Sequence, residues 1–149
     1  MTQRLDLALL VPDFYRAMAG LERSARDSGI DHHLYELIKI RASQLNGCAY
    51  CLDMHLSDAR TQGESQRRLD VLSAWREAPG QFTDGERSAL ALAERVTLVS
   101  EEGVPQPVWD EAVAALGEEG VAQVITATVA INCWNRLAIA IHQDLPPEH

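Results

Sequence analysis

The sequence is poor in basic residues. Its 149 residues contain 13 Lys and Arg against 22 Asp and Glu, which gives a formal net charge of −9. Arg67-Arg68 is the only adjacent basic pair. Nucleic acids and anionic membrane surfaces both bind proteins through a basic face. We therefore expect neither a nucleic acid nor a membrane as a partner, and the negative charge mainly favours solubility.

The chain also lacks a long, uniformly apolar run. Its most apolar stretch, 121–141, is interrupted by polar side chains that include Gln123, Asn132, Asn135 and Arg136. A transmembrane helix needs about 20 nearly uniform apolar residues, so this stretch predicts a buried helix. Asp6 stands where a signal peptide would continue its apolar run. We therefore expect the protein to be cytoplasmic.

No stretch of useful length alternates apolar and polar residues in the way that a half-buried strand does. Apolar residues recur instead at helical spacing between Pro, Gly and Asn-Gly breaks. The pattern predicts an all-α fold of about seven helices, in a single domain that spans residues 1–149. The predicted helices begin near Pro12, Asp31, Cys48, Ser65, Thr83, Pro105 or Pro107, and Glu118.

Cysteine is scarce, with only Cys48, Cys51 and Cys133 in the chain. A domain of this length buries enough surface to fold without disulfides, and cytoplasmic cysteines stay reduced unless they have a function. Cys133 lies on an apolar helix without a partner cysteine, where a free thiol commonly packs as a small hydrophobe. The other two form a C-x-x-C motif, which therefore becomes the candidate site.

Four residues, Glu36, Cys48, Cys51 and His55, form the candidate catalytic set. In a helix that starts at Cys48, both sulfurs lie on one face, close enough for a disulfide. His55 follows Cys51 by one more turn on that face. Glu36 lies on the preceding helix, and a tight Asn46-Gly47 turn can bring its carboxylate back to the same place.

These residue types suit thiol redox chemistry. A free thiol has a pKa near 8.5, so roughly 3% is thiolate at neutral pH. A helix N-terminus and a neighbouring imidazole both raise that fraction. A carboxylate such as that of Glu36 can orient the imidazole of His55. The spacing therefore predicts a redox-active thiol pair with an acid–base group beside it.

Zinc binding is the main alternative. The same four side chains could be four zinc ligands, in a structural or redox-sensing domain. We favour the redox site because structural zinc usually holds loops together, whereas this domain has well-capped helices and a sufficient core. We therefore expect no metal and no cofactor.

The run from Glu36 to His55 closely resembles the core of the AhpD-like alkylhydroperoxidase family, within the carboxymuconolactone decarboxylase superfamily. The shared pattern is a Glu, eleven intervening residues, and then C-x-x-C-x-x-x-H. The later segment 132–138 resembles the family's final helix. The resemblance extends over residues 10–143.

The resemblance implies an all-α homo-oligomer, a trimer or a hexamer, that reduces hydroperoxides without metal or haem. Cys51 matches the cysteine that attacks the peroxide and Cys48 the resolving cysteine, while Glu36 and His55 match the proton relay. The reaction leaves the two cysteines as a disulfide, and a thiol or dithiol reductant reduces it back to thiols. Tyr50 stands where well-known members have a second His, so the implied relay is shorter here.

One more alternative concerns the substrate. The superfamily also contains enzymes that act on other molecules, and in such an enzyme the thiols of this chain would serve redox sensing. Decarboxylation is disfavoured, because the superfamily's decarboxylases lack the C-x-x-C motif.

Overall fold

A computed structural model describes residues 2–146, and this part of the chain is helical without strands. It contains eight α-helices: α1 (Leu7–Leu10), α2 (Pro12–Arg26), α3 (His32–Asn46), α4 (Ala49–Thr61), α5 (Gln66–Val71), α6 (Asp84–Thr97), α7 (Val99–Glu102) and α8 (Gln106–Ile141). A 3-10 helix covers Leu72–Glu77. The predicted all-α class is confirmed, while the predicted domain limits, 1 and 149, lie outside the described residues.

Local capping explains where the main helices begin. The Asp31 side chain accepts a hydrogen bond from the Leu34 N–H at 3.0 Å and caps α3. Before α6, Thr83 Oγ1 accepts from the Glu86 N–H at 3.2 Å, and the Glu86 carboxylate accepts from the Thr83 N–H at 2.7 Å. Such reciprocal caps satisfy N–H groups that the first turn leaves unpaired. The predicted capping box is confirmed.

The structure corrects several predicted boundaries. The sequence missed α1, which Asp6 caps, because four residues are too few to show helical spacing. The helix predicted from Thr83 to Gly103 is interrupted at Leu98, whose ψ of 35° is not helical. The break predicted at Gly117 is confirmed: its φ of +71° and ψ of 170° are not helical, so α8 consists of two helical segments that meet at Gly117.

Helix α3 lies at the centre of the fold. It contacts α4, α6 and α8, and Leu37, Ile38 and Ile40 are fully buried on different sides of it. One apolar cluster joins α3 to α2, α6 and α8, and a second joins it to α4, the 3-10 helix and α6. Because α3 is packed on all sides, its position is fixed, and side chains on its surface can hold the groups of a site in place.

A third, smaller apolar cluster lies where the first turn of α4 meets α3 and α8. It consists of Ala42, Cys48, Cys51 and Ile131. The thiol pair is therefore part of the packed interior, and burial raises the free energy of any charge placed there.

Helix α8 is long and apolar enough to cross a membrane by length and composition alone. Within this chain, 44% of its most apolar window is buried, and its polar residues Asn132 and Asn135 are hydrogen-bonded in the interior. These features are typical of a core helix, and the absence of a membrane partner stays a prediction.

Candidate active site

The turn between α3 and α4 sets the position of the first sulfur. Gly47 has φ of +71° and ψ of 35°, a left-handed conformation that suits glycine. Cys48 follows in an extended conformation and is the N-cap of α4, where its Sγ accepts a hydrogen bond from the Cys51 N–H at 3.4 Å. The prediction that Cys48 is the first helical residue is therefore wrong by one position, because its side chain caps the helix.

Cys48 and Cys51 form a buried pair of free thiols, 1% and 2% exposed. The Cys51 thiol donates a hydrogen bond to the Cys48 sulfur, and this bond, with the Cys51 N–H and the Asn135 amide, lowers the pKa of Cys48 to about 7. The same bond, together with burial, raises the pKa of Cys51. In the reduced pair, the negative charge therefore rests first on Cys48.

The structure brings Glu36 and His55 together. His55 Nδ1 lies 3.0 Å from Glu36 Oε2, and both side chains are buried. A carboxylate partner favours the proton on Nδ1 and leaves Nε2 as the free nitrogen. Sequence reasoning missed Asp58, whose Oδ2 lies 3.8 Å from the same Nδ1. Its position three residues after His55 on α4 could have predicted that the two side chains lie close together.

A cavity of about 330 Å³ is lined by Cys51, His55 and Asp58, whereas Glu36 lies behind His55 outside its lining. Its polar end is formed by Glu22, Lys39, Cys51, His55 and Asp58. The rest of the lining is largely apolar, and includes Tyr15 and Trp134, whose rings meet edge to face with centroids 5.4 Å apart. Such a combination of apolar walls and few polar groups is typical of sites for small organic molecules.

The two sulfurs line different cavities. Cys51 shares the first cavity with His55, whereas Cys48 lines a second one of about 280 Å³ beside Gly47 and His142. Tyr50 lies between the two cysteines in sequence and lines both cavities. A molecule in the first cavity therefore meets Cys51, and one in the second meets Cys48.

An ion pair at the polar end was not expected from the sequence. Lys39 donates a hydrogen bond to Glu22 Oε1, and the Tyr35 hydroxyl donates to the same oxygen at 2.8 Å. Burial raises the pKa of Glu22, but the charge and hydrogen bonds of Lys39 and Tyr35 outweigh it and hold the pKa below its ordinary value. Glu22 therefore stays ionised beside Lys39. In the sequence, the position of Lys39 three residues after Glu36 on α3 could have indicated that both side chains lie on the same face of the helix.

Buried asparagines attach α8 to the α3–α4 turn. Asn135 is fully buried, accepts a hydrogen bond from Asn46 Nδ2 at 2.8 Å and donates one to Ser43 Oγ at 3.0 Å. Asn132 also accepts from Asn46 Nδ2, at 3.0 Å. These bonds hold the turn that carries Cys48 against α8.

The zinc alternative finds little support in this geometry. Within residues 2–146, the group of possible metal ligands is Glu36, His55 and Asp58, with ligand atoms within 4.8 Å of one another. Neither cysteine belongs to this group, so the four-ligand set Cys48, Cys51, His55 and Glu36 is not assembled. Both carboxylates instead approach a single imidazole nitrogen, which suits orientation of the ring.

Two further expectations concern α8. Cys133 is half-buried and lines neither of the two cavities described above. Trp134, expected as a core or interface anchor, packs against the third apolar cluster and also contributes to the wall of the first cavity.

Comparisons with known proteins identify the family of this chain. Residues 12–95 match the model of the carboxymuconolactone decarboxylase family. Over 141 residues, 95% of each chain, the sequence is 38% identical to the uncharacterised protein YdfG of Bacillus subtilis (strain 168). Chain coverage of this extent at this identity places the two proteins in one family.

Two solved structures resemble this fold closely. One is a protein of unknown function from Agrobacterium tumefaciens, provisionally described as an AhpD antioxidant defence protein, at 35% identity and a TM-score of 0.94, covering 99% of this chain and 100% of that one. The other is an uncharacterised peroxidase-related protein with an AhpD core from Ralstonia eutropha JMP134, at 22% identity and a TM-score of 0.81, covering 95% and 74%. The chain therefore belongs to the carboxymuconolactone decarboxylase family, and its fold is that of the AhpD-like alkylhydroperoxidases.

Proposed function

We propose that this protein is a thiol-dependent peroxidase that reduces hydroperoxides and acts as a disulfide oxidoreductase. The observation that carries the proposal is the buried pair of Cys48 and Cys51, joined by the hydrogen bond from the Cys51 N–H to Cys48 Sγ, with Cys51 in the wall of a cavity beside an imidazole that a carboxylate orients. The descriptions of the Agrobacterium and Ralstonia proteins point in the same direction.

The first step is attack by Cys51. The S–H···S hydrogen bond lets Cys51 pass its proton to the Cys48 anion, which moves the negative charge to the sulfur in the cavity. The thiolate then attacks the outer oxygen of the hydroperoxide R–O–O–H. The S–O bond forms as the O–O bond breaks, which gives a sulfenic acid on Cys51 and an alkoxide that takes up a proton.

The second step forms the disulfide. The Cys48 thiol condenses with the Cys51 sulfenic acid, and its proton leaves with the hydroxyl group as water. The pair has then lost two electrons, and the hydroperoxide has become an alcohol and water. His55, held by Glu36, moves protons between the site and solvent.

A thiol or dithiol reductant closes the cycle by exchange with the Cys48–Cys51 disulfide. The second cavity, which Cys48 lines, offers such a reductant an approach separate from that of the peroxide. A reduced thiol pair suits the cytoplasm, where we propose that the protein acts.

Mass spectrometry of peroxide-treated protein tests the proposal. One equivalent of hydroperoxide should convert the peptide that contains both cysteines into an internal Cys48–Cys51 disulfide, and an added dithiol should restore it for repeated turnover. The control is Cys48→Ser/Cys51→Ser, which retains only Cys133. Modification of Cys133 alone would refute the proposal, and a disulfide without turnover would favour redox sensing.

A further inference from the structure

A largely buried ion pair, in which the side chains of Lys39 and Glu22 are 5% and 22% exposed, lines the cavity that Cys51 also lines. The same lining includes His55. A buried ion pair loses much of its hydration, so it is often no more stabilising than apolar residues of the same size. Charged groups kept in a cavity at that cost are candidates for function.

The hydrogen bonds of this pair are incomplete. Glu22 Oε1 accepts from both Lys39 Nζ and the Tyr35 hydroxyl, whereas Glu22 Oε2 is buried without a hydrogen-bond partner within residues 2–146. The ammonium of Lys39 lies 4.6 Å from the centre of the Tyr35 ring. An ammonium has three N–H groups, and in the described part of the chain Lys39 donates one hydrogen bond, to Glu22. The pair therefore offers an acceptor and donors that the protein leaves unused.

A hydroperoxide has the complementary groups. Its outer oxygen carries an O–H donor, and its inner oxygen, bonded to carbon, is an acceptor on which negative charge develops as the O–O bond breaks. We propose that Glu22 and Lys39 bind the hydroperoxide group, with Glu22 Oε2 accepting from the outer O–H and Lys39 donating to the inner oxygen. Lys39 is then the acid that protonates the leaving alkoxide.

The inference rests on the proposed peroxidase function and completes its proton balance. As the Cys51 sulfur bonds to the outer oxygen, the inner oxygen leaves with the O–O electron pair and takes a proton from Lys39 Nζ, which gives the alcohol. Lys39 then regains a proton from solvent, which replaces the one that the thiol pair released when it became an anion. Oxidation of the sulfur balances reduction of the peroxide.

The electrostatics of the site agree with this role. The hydrogen bond to Cys48 and burial raise the pKa of Cys51, and the charge of Lys39 acts in the opposite direction. The same ammonium therefore favours negative charge on the attacking sulfur before the reaction and on the leaving oxygen during it.

A paired substitution tests this proposal. Lys39→Met alone would leave Glu22, whose side chain is 22% exposed, as an uncompensated charge in the cavity wall, which can prevent folding. Glu22→Gln/Lys39→Met removes both charges and keeps the volumes similar. The control is Arg41→Met/Glu94→Gln, which removes a largely buried ion pair that does not line this cavity, together with the contact of Glu94 to Arg76. Circular dichroism confirms that each variant is folded.

Two oxidants with different leaving groups give the decisive readout. The alkoxide from tert-butyl hydroperoxide needs a proton, whereas the benzoate from perbenzoic acid is stable without one. We expect the Glu22→Gln/Lys39→Met variant to react about 100-fold or more slowly with tert-butyl hydroperoxide, the scale of a lost general acid. With perbenzoic acid the loss should be less than about tenfold, and the control variant should match the wild type with both oxidants.

Each outcome separates the inference from the proposed function. An equal loss with both oxidants means that the ion pair only supports the structure, and no loss means that it is not used; either result overturns the inference while the peroxidase function stands. If the wild-type thiol pair reacts with neither oxidant, the proposed function fails, and the role of Lys39 fails with it.

Discussion

At the scale of single residues, the two sulfurs differ in what surrounds them. Cys48 caps α4 and accepts hydrogen bonds, so it holds the negative charge in the reduced pair. Cys51 shares its cavity with His55 and is the sulfur that a bound substrate meets. Charge and access thus point to different cysteines. Transfer of one proton from Cys51 to Cys48, along the hydrogen bond between them, moves the negative charge to the sulfur that the substrate meets.

Single-cysteine variants test which sulfur attacks. We expect Cys48→Ser to form a sulfenic acid that is trapped on Cys51, because access to the cavity decides the reaction, and Cys51→Ser to form none. Dimedone labelling after one equivalent of peroxide, read by mass spectrometry, reports both. Label on Cys48 in the Cys51→Ser variant, with none in Cys48→Ser, would show that the resting charge decides and would reverse the roles.

The lowered pKa of Cys48 predicts a pH profile. Below a pH of about 7 the pair is fully protonated and neutral, so the reaction with peroxide should fall about tenfold per pH unit. Above it the pair carries one negative charge, and the rate should level off. Stopped-flow measurement of the rate of thiol loss between pH 5 and 9 tests this profile. That range covers both the pKa of about 7 and the ordinary thiol pKa of about 8.5.

A single substitution tests what lowers the pKa of Cys48. Cys51→Ala removes the thiol that donates to Cys48, which is the largest cause of the lowered pKa. The alkylation of Cys48 by iodoacetamide should then require a higher pH than in the wild type. An unchanged midpoint in this variant would attribute the shift to the backbone N–H and Asn135 instead.

His55 and Asp58 make a matched pair of substitutions. His55→Gln removes the buried imidazole and should slow peroxide reduction about 100-fold, the scale of lost acid–base help. Asp58 is 54% exposed and lies 3.8 Å from the ring, so Asp58→Asn should change the rate less than about fivefold, since exposed ion pairs contribute under 1 kcal/mol. Equal effects in stopped-flow measurements would contradict the relay assigned to Glu36 and His55.

At the scale of elements, the α3–α4 turn depends on Gly47. A Cβ at Gly47 would meet nothing within 4 Å, but its φ of +71° is strained for any other residue. Gly47→Ala should therefore cost about 1–2 kcal/mol of stability. Gly20→Ala, in the interior of α2 with its nearest neighbour at 3.8 Å, should instead stabilise by about 0.5–1 kcal/mol.

Urea unfolding of the two alanine variants measures both effects. Shifts of opposite sign confirm that the turn, and not merely loss of glycine, is responsible. If Gly47→Ala were neutral, the left-handed turn would not be needed to place Cys48 at the N-terminus of α4.

At the scale of the whole molecule, the surface of α1 and the start of α2 is unusually apolar. Leu9 and Leu10 are 77% and 63% exposed, and Val11 and Phe14 continue the patch. Neighbouring exposed apolar residues mark interaction surfaces in soluble proteins. We therefore propose that this patch contributes to the interface of a homo-oligomer, a trimer or a hexamer.

Light scattering tests the oligomer. The particle mass should be a multiple of the 16.5 kDa of one chain, and Leu9→Glu/Leu10→Glu should lower it. The matched control is Val99→Glu, on α7, which is also exposed and should leave the mass unchanged. A wild-type mass of 16.5 kDa at micromolar concentration would refute the proposal.

The helix starts and the spacing of the site residues could be predicted because they depend on residues only a few positions apart. The Thr83 capping box and the Asp31 cap act over three residues, so the sequence alone locates the helices that they start. The spacing from Cys48 to His55 places both thiols and the imidazole along one helix. Helical periodicity also determined the all-α class. The four-residue helices α1 and α7 and the interruption at Leu98 were not predicted, because so few residues show little periodicity.

The tertiary structure decided what meets across the chain. Glu22 and Lys39 lie on different helices, and Asn46 is bonded to Asn135 across 89 positions, so no local pattern could pair them. The cavity depends on how α2, α4 and α8 pack around α3, which also decides that the two sulfurs line separate cavities. Residue spacing along a helix tells which side chains share a face, but only the packing of helices against one another selects what that face contacts.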